Sequence, residues 1–177
     1  MGLLLFFLSC FGLVSYDYPL LSTNSGVVLD SVAIGKPYRR ADWKVKPRIR
    51  ICATTEVPVY RISQAVRYRE SIGYDFDGID RDSNPACMHP RRGEILFTLP
   101  EAGFSNNHIA STRLYTHKET GDIVMAKIHI LPRHARKERV IEHEIGHALG
   151  WMHYRQKFHI MHPTWQLGGY DHSGIRR

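Results

Sequence analysis

Three histidines between residues 143 and 153 constrain this chain more than any other feature of its sequence. His143 and His147 are four residues apart, so on a helix at about 100° per residue both imidazoles share one face. Apolar residues recur at helical spacing on roughly the opposite side: Ile141, Ile145, Ala148 and Leu149. We therefore predict a helix over 137–150 that packs one face into the core and presents two metal ligands on the other.

The residues around this histidine pair complete a pattern that is typical of a catalytic metal site. Gly150 follows the last apolar position and allows the left-handed turn that ends a helix, so His153 can return as a third ligand. Three nitrogen ligands leave one position for water, as in catalytic zinc sites. Glu144 follows His143 but is rotated away from the metal, where it can hold and deprotonate that water. A helix with three unrelated histidines is the alternative interpretation.

The pattern H-E-x-x-H-x-x-G-x-x-H over residues 143–153 resembles the signature of the metzincin zinc peptidases. Residues 160–163, Ile-Met-His-Pro, resemble the methionine turn of that family. The proline after the methionine resembles the matrixin branch rather than the astacins. Residues 120–128 also resemble a strand pair of small matrixins.

This resemblance implies one catalytic Zn²⁺ held by the three histidines, with Glu144 as general base. It implies that Met161 forms an apolar floor under the metal, with an ordinary loop methionine as the alternative. A strand near residues 111–115 would align the substrate backbone by strand addition. The residues implied to wall the primed-side specificity pocket are Pro163, Thr164 and Trp165.

The sequence also departs from the matrixin pattern. No cysteine-switch peptide is recognisable, because residues 85–89, Pro-Ala-Cys-Met-His, do not match it. The structural-zinc and calcium segments of that family are not recognisable either. Ca²⁺ would have oxygen ligands in one acidic stretch, but its spacing matches no loop motif and a solvated acidic turn is the favoured interpretation. Its members are Asp75, Asp77, Asp80 and Asp82.

The order of patterns along the chain predicts the fold class. Strand signals cover 46–54, 94–99, 111–117 and 123–131, with a short strand near Ile79, and a helix signal covers 56–73. This order indicates an α+β fold with a mixed sheet. With the metzincin resemblance, it predicts a twisted, largely parallel sheet of about five strands with an antiparallel edge strand, two long helices and a short C-terminal helix.

The apolar run over residues 3–14 bears on localisation. It is shorter than the roughly 20 residues of a transmembrane helix and has the length of a signal-peptide core, although a basic n-region is missing. We predict a signal peptide over 1–15, a linker or short pro-segment over 16–45 and a catalytic domain over 46–177 of a secreted or extracytoplasmic protein. An apolar N-terminal element of the fold is the alternative. In an exported chain Cys52 and Cys87 could form a disulfide, or remain two separate thiols.

The composition limits the classes of binding partner that we expect for this chain. The net charge of +7 comes from basic residues that are scattered and carry no nucleic-acid motif, which favours a solvated surface over a patch for an anionic partner. We therefore expect no specific nucleic acid, a protein or peptide substrate and a monomer. The predicted function is zinc-dependent hydrolysis of peptide bonds. The alternatives are a catalytically silent, zinc-stabilised binding module that uses the same cleft, and cleavage of a specialised amide such as a cell-wall crosslink.

Overall fold

The computed structural model describes residues 13–21, 35–84, 86–100 and 108–177, with backbone alone for 14–21. Six strands and two α-helices lie within these ranges. The strands are β1 Leu13–Leu21, β2 Arg48–Cys52, β3 Ile79–Asp82, β4 Glu94–Thr98, β5 His108–His117 and β6 Ile123–Ile130. The helices are α1 Val59–Glu70 and α2 Val140–Ala148. Among the described residues, no helix is long and apolar enough to span a bilayer.

All six strands form one sheet in the order β1-β5-β6-β4-β2-β3. Strands β3, β2, β4 and β6 run parallel to one another, whereas β5 is antiparallel to β6 and β1 is antiparallel to β5. The prediction of a mixed α+β fold with a largely parallel sheet and two helices is confirmed. The antiparallel strand predicted at the edge is β5, but β1 lies outside it as a sixth strand.

Both helices are shorter than their sequence patterns. Helix α1 begins after Pro58, which suits a first turn, and ends before Gly73, whose φ is +98°. Helix α2 begins after Arg139, which has a left-handed φ of +68° and so separates residues 137–139 from the helix. The helices pack on each other, and α2 also contacts β5 and β6. The helix that carries the histidine pair is therefore held between α1 and the sheet.

The residues after α2 form loops rather than the predicted short C-terminal helix. A single 3₁₀ turn covers Trp165–Leu167. Backbone hydrogen bonds join this tail to the segment before it, from Phe158 to Leu167 at 2.7 Å and from Ile160 to Asp171 at 2.7 Å. These bonds use backbone groups that a longer helix would need internally.

Residues 35–45 lie in the predicted linker but pack against the end of α2. Trp43 is buried and its indole donates a hydrogen bond to the carbonyl of Ala148 at 2.8 Å. Arg39 donates to the carbonyl of Leu149 at 2.8 Å. Strand β1 crosses the predicted signal boundary at residue 15, while residues 1–12 of that predicted signal lie outside the described residues.

Cys52 and Cys87 are joined by a disulfide, with their Cα atoms 5.5 Å apart. Both are buried and pack with Leu96 of β4 in a small cluster separate from the main core. The pairing closes a loop between residues 35 apart in the sequence, which restricts the unfolded chain and stabilises the fold.

Candidate metal centre

Helix α2 presents His143 and His147 on one face, and both side chains are buried. Their Nδ1 atoms lie 2.6 Å from backbone carbonyls, that of His143 from Ile160 and that of His147 from Trp151. Because a carbonyl oxygen only accepts, each Nδ1 carries the proton. The two Nε2 atoms are 2.9 Å apart and therefore present their lone pairs to the same space.

His153 reaches these two rings because the chain reverses at Gly150. Gly150 has a left-handed φ of +95°, as its position in the sequence predicted. A Cβ atom there would also overlap the carbonyl oxygen of Ala41. Both the backbone angle and this close contact therefore disfavour any residue with a side chain. The ring of His153 lies 4.5 Å from that of His147 and 5.4 Å from that of His143, centroid to centroid.

The three histidines form a group that could hold a metal ion. Their candidate ligand nitrogens all lie within 4.8 Å of one another. Within the described part of the chain, no other group of three His, Cys, Asp or Glu side chains has such a geometry. The predicted ligands are therefore brought together at one point.

Burial keeps these imidazoles neutral. Desolvation, and then the charges of neighbouring histidines, lower the pKa of His143 and His147 well below the usual 6.5. Desolvation and then the neighbouring His162 lower the pKa of His153 to about 3. Neutral imidazole is the form that ligates a metal, so all three rings are ready for coordination at neutral pH.

Glu144 belongs to α2 and is fully buried on this helix, which packs on β5. Its Oε2 accepts a hydrogen bond of 2.5 Å from the Thr112 hydroxyl, while its Oε1 has no hydrogen-bond partner among the described residues. Burial raises the pKa of Glu144 to about 8, and the bond from Thr112 opposes this rise. A buried carboxylate oxygen without a partner is uncommon and is placed to interact with a molecule from outside the chain.

Met161 is fully buried against α2. A Cβ atom at Gly146 would overlap the Met161 sulfur and the Arg69 guanidinium, so this glycine lets both side chains approach the helix closely. Arg69 of α1 donates to the same sulfur at 3.5 Å and to the Glu142 carbonyl at 2.6 Å. The sequence analysis missed Arg69, although a charge on the same helical face as Ile62, seven residues earlier, could have singled it out.

The three residues predicted to wall the specificity pocket do not all line the same cavity in the structure. Trp165 lines a cavity of about 10 Å³ beside His143, together with Arg139 and His162. Pro163 and Thr164 are buried but do not line it. Arg139, which the sequence analysis also missed, stacks on the Trp165 ring at 5.0 Å and donates to its carbonyl at 3.0 Å.

Each of the four aspartates considered as Ca²⁺ ligands forms an ion pair with a basic side chain. These basic side chains lie in β2 or just before it. Arg48 bonds to Asp77 and Asp80 at 3.0 and 2.5 Å. Arg50 bonds to Asp82 at 2.8 Å. Lys46 lies 3.3 Å from Asp75. Each of the four carboxylates therefore has an ion-pair partner within the chain.

The histidine group fits a metal ion by its own chemistry. Its neutral rings are oriented by carbonyls, and a buried carboxylate oxygen without a partner lies on the helix that carries two of them. Comparison of the chain with protein-family models, with curated proteins and with solved structures found no match. The case for a function therefore rests on the residues of this chain.

Proposed function

We propose that this protein is a zinc-dependent endopeptidase. The observation that carries the proposal is the convergence of three buried, neutral imidazoles on one point, next to a buried glutamate with a free carboxylate oxygen. Three imidazole ligands and an open position favour zinc among the common metals. The resemblance of residues 143–163 to the metzincin and matrixin motifs supports the same choice.

Each protein group has a distinct part in the proposed reaction. Zinc bound here would supply a Lewis acid that acidifies water and polarises the scissile carbonyl. The bond from Thr112 holds Oε2 of Glu144, and the positive charge of bound zinc would lower the raised pKa of this carboxyl, so Oε1 would take the proton from the attacking water and pass it to the leaving amine. The carbonyls of Ile160 and Trp151 fix the rings of His143 and His147 during this transfer.

The same proposal covers the role of Met161, the specificity pocket and the localisation. The buried Met161 would form the apolar floor below the metal. Trp165, which lines the cavity beside His143, would contribute to the primed-side pocket. The disulfide between Cys52 and Cys87 suits an oxidising compartment, which supports export from the cytoplasm.

A paired metal and cleavage analysis tests the proposal. Wild type and Glu144→Ala are each expected to bind one zinc ion per chain, while cleavage of a peptide library falls about 100- to 10,000-fold in the variant. Glu138→Ala is the matched control, because Glu138 is exposed and precedes the same helix. Undiminished cleavage by Glu144→Ala would refute the mechanism. Bound zinc without cleavage by wild type, and without cleavage when β1 is displaced from β5, would favour a zinc-stabilised binding module.

A further inference from the structure

Strand β5 has two edges, and its backbone groups alternate between them. The carbonyl of Ile109 accepts from Leu131 on the β6 side, so odd-numbered residues of β5 direct their backbone groups to β6. Even-numbered residues direct theirs to the other edge. Strand β1 occupies that edge, with Tyr16 opposite Leu114 and Tyr18 opposite Thr112.

Pro19 gives an independent check on this alternation. It lies opposite Ser111, an odd-numbered residue of β5. Proline has no N–H and is tolerated on an edge strand where its nitrogen faces away from the neighbouring strand. The odd positions of β1 therefore face outward, and its even positions hydrogen-bond to β5.

The edge that β1 occupies is the one beside the proposed catalytic base. Thr112, the partner of Tyr18, donates its hydroxyl hydrogen bond to the Glu144 carboxylate. Helix α2, which carries Glu144, contacts β1 as well as β5. An extended peptide that added to β5 in antiparallel orientation would need the same backbone groups that β1 now uses.

We propose that β1 is an internal occupant of a peptide-binding edge on β5. While β1 is paired, a second extended chain cannot add to this edge, and release of β1 opens it next to Glu144. Because β1 belongs to the same chain, its pairing with β5 is intramolecular, so a free peptide competes poorly. That the admitted peptide is a substrate rests on the proposed function, whereas the competition for the edge does not.

Proline substitutions at the two sets of β1 positions test the competition. Tyr16→Pro with Tyr18→Pro removes N–H groups that face β5, whereas Ser15→Pro with Asp17→Pro is the matched control at outward-facing positions. The probe is a fluorescent synthetic peptide with the sequence of residues 13–21, followed by anisotropy. The even-position variant is expected to bind it at least about 10-fold more tightly than wild type, and the control to bind it as wild type does. Equal affinities in all three chains would overturn the proposal.

Amide hydrogen exchange gives a second measurement that needs no variant. In the unmodified chain the amides of Thr112 and Leu114 should be protected by β1, as Arg113 is by β6. Exchange of Thr112 and Leu114 at the rate of unpaired amides would overturn the proposal. In the even-position variant these two amides should lose protection while Arg113 keeps it.

Cleavage assays on the same three chains separate the two proposals. If the chain is a peptidase, the even-position variant should cleave an unfolded protein at least about 10-fold faster than wild type and the control. Tighter peptide binding without cleavage by any chain would support the role of β1 and refute the peptidase. Cleavage at equal rates by all three chains, with equal peptide binding, would refute the role of β1 alone.

Discussion

Two clusters of titratable side chains in this protein differ in whether their polar groups have partners within the chain. The histidine cluster, His143, His147 and His153, consists of groups of one kind whose ligand nitrogens lie within 4.8 Å of one another. The charged edge pairs unlike groups, Arg48 and Arg50 with Asp77, Asp80 and Asp82. The aspartates have their counter-ions in the chain, whereas the histidines share a space that a cation can fill. The difference separates a candidate metal site from a set of ion pairs.

The pKa directions follow the same division. Burial lowers the pKa of all three histidines, so the cluster is neutral and its nitrogens can coordinate a metal. At the charged edge, a backbone hydrogen bond from Asn84 and then Arg50 lower the pKa of Asp82. Hydrogen bonds to Asp80 and Asp77 raise the pKa of Arg48. Each of these two shifts favours the charged form of its group.

The largest expected effect comes from removing one member of the histidine cluster. His147→Ala should lower bound zinc from one ion per chain to less than about 0.1, because the remaining two ligands cannot complete the site. It should also abolish the stabilisation by zinc, about 4 kcal/mol at 1,000 times the Kd. Metal analysis and thermal unfolding measure both. His89→Ala, at an exposed histidine, is the control, and full zinc content in His147→Ala would contradict the comparison.

The next largest effect is expected inside the charged edge, at its buried arginine. Arg50 is 5% exposed and bonds to Glu94 at 2.9 Å, so Arg50→Met leaves a buried carboxylate without its partner. Breaking such a pair costs about 3 to 5 kcal/mol of the free energy of unfolding, measured by urea denaturation. Zinc content should not change. The double variant Arg50→Met with Glu94→Leu should recover part of the loss, and no recovery would mean that the charge pair is not the cause.

A smaller effect tests how the backbone assembles the histidine cluster. Gly150→Ala should reduce stability by about 2 kcal/mol and weaken zinc binding at least about 10-fold, because it combines an unfavourable φ with overlap at Ala41. Gly121→Ala is the matched control, since Gly121 also has a positive φ but no neighbour within 4 Å of the added Cβ. It should cost about 1 kcal/mol and leave zinc affinity unchanged. Equal effects at both glycines would show that the contact with Ala41 is unimportant.

The parts of this structure that the sequence predicted are those that depend on local periodicity. The spacing of His143 and His147 fixes a common helical face, and Gly150 marks the reversal that returns His153. Strands β2 and β4 to β6 lie within a few residues of their predicted bounds because their apolar patterns continue over most of their length.

The parts that the sequence could not predict depend on distant partners. Strand β1 pairs with residues about 95 positions away, and its Pro19 weakens the local strand pattern. Arg69 is buried because the Glu142 carbonyl and the Met161 sulfur accept its hydrogen bonds, and both come from other segments. The carbonyl of Ile160 that orients His143 is likewise set by the path of a loop. Each of these contacts joins segments that no local pattern relates.

The smallest effect is expected at the exposed arginine of the charged edge. Arg48 bonds to Asp77 and Asp80, but all three side chains are exposed, so solvent screens the pairs and Arg48→Met should change the Tm by less than about 2 °C. Arg50→Met on the same strand is the buried counterpart, and the ratio of the two shifts measures the effect of burial. Because both carboxylates already bond to Arg48, added Ca²⁺ should leave the Tm of the unmodified chain unchanged. A rise of more than about 2 °C with Ca²⁺ would mean that the charged edge is itself a cation site, and the contrast with the histidine cluster would fail.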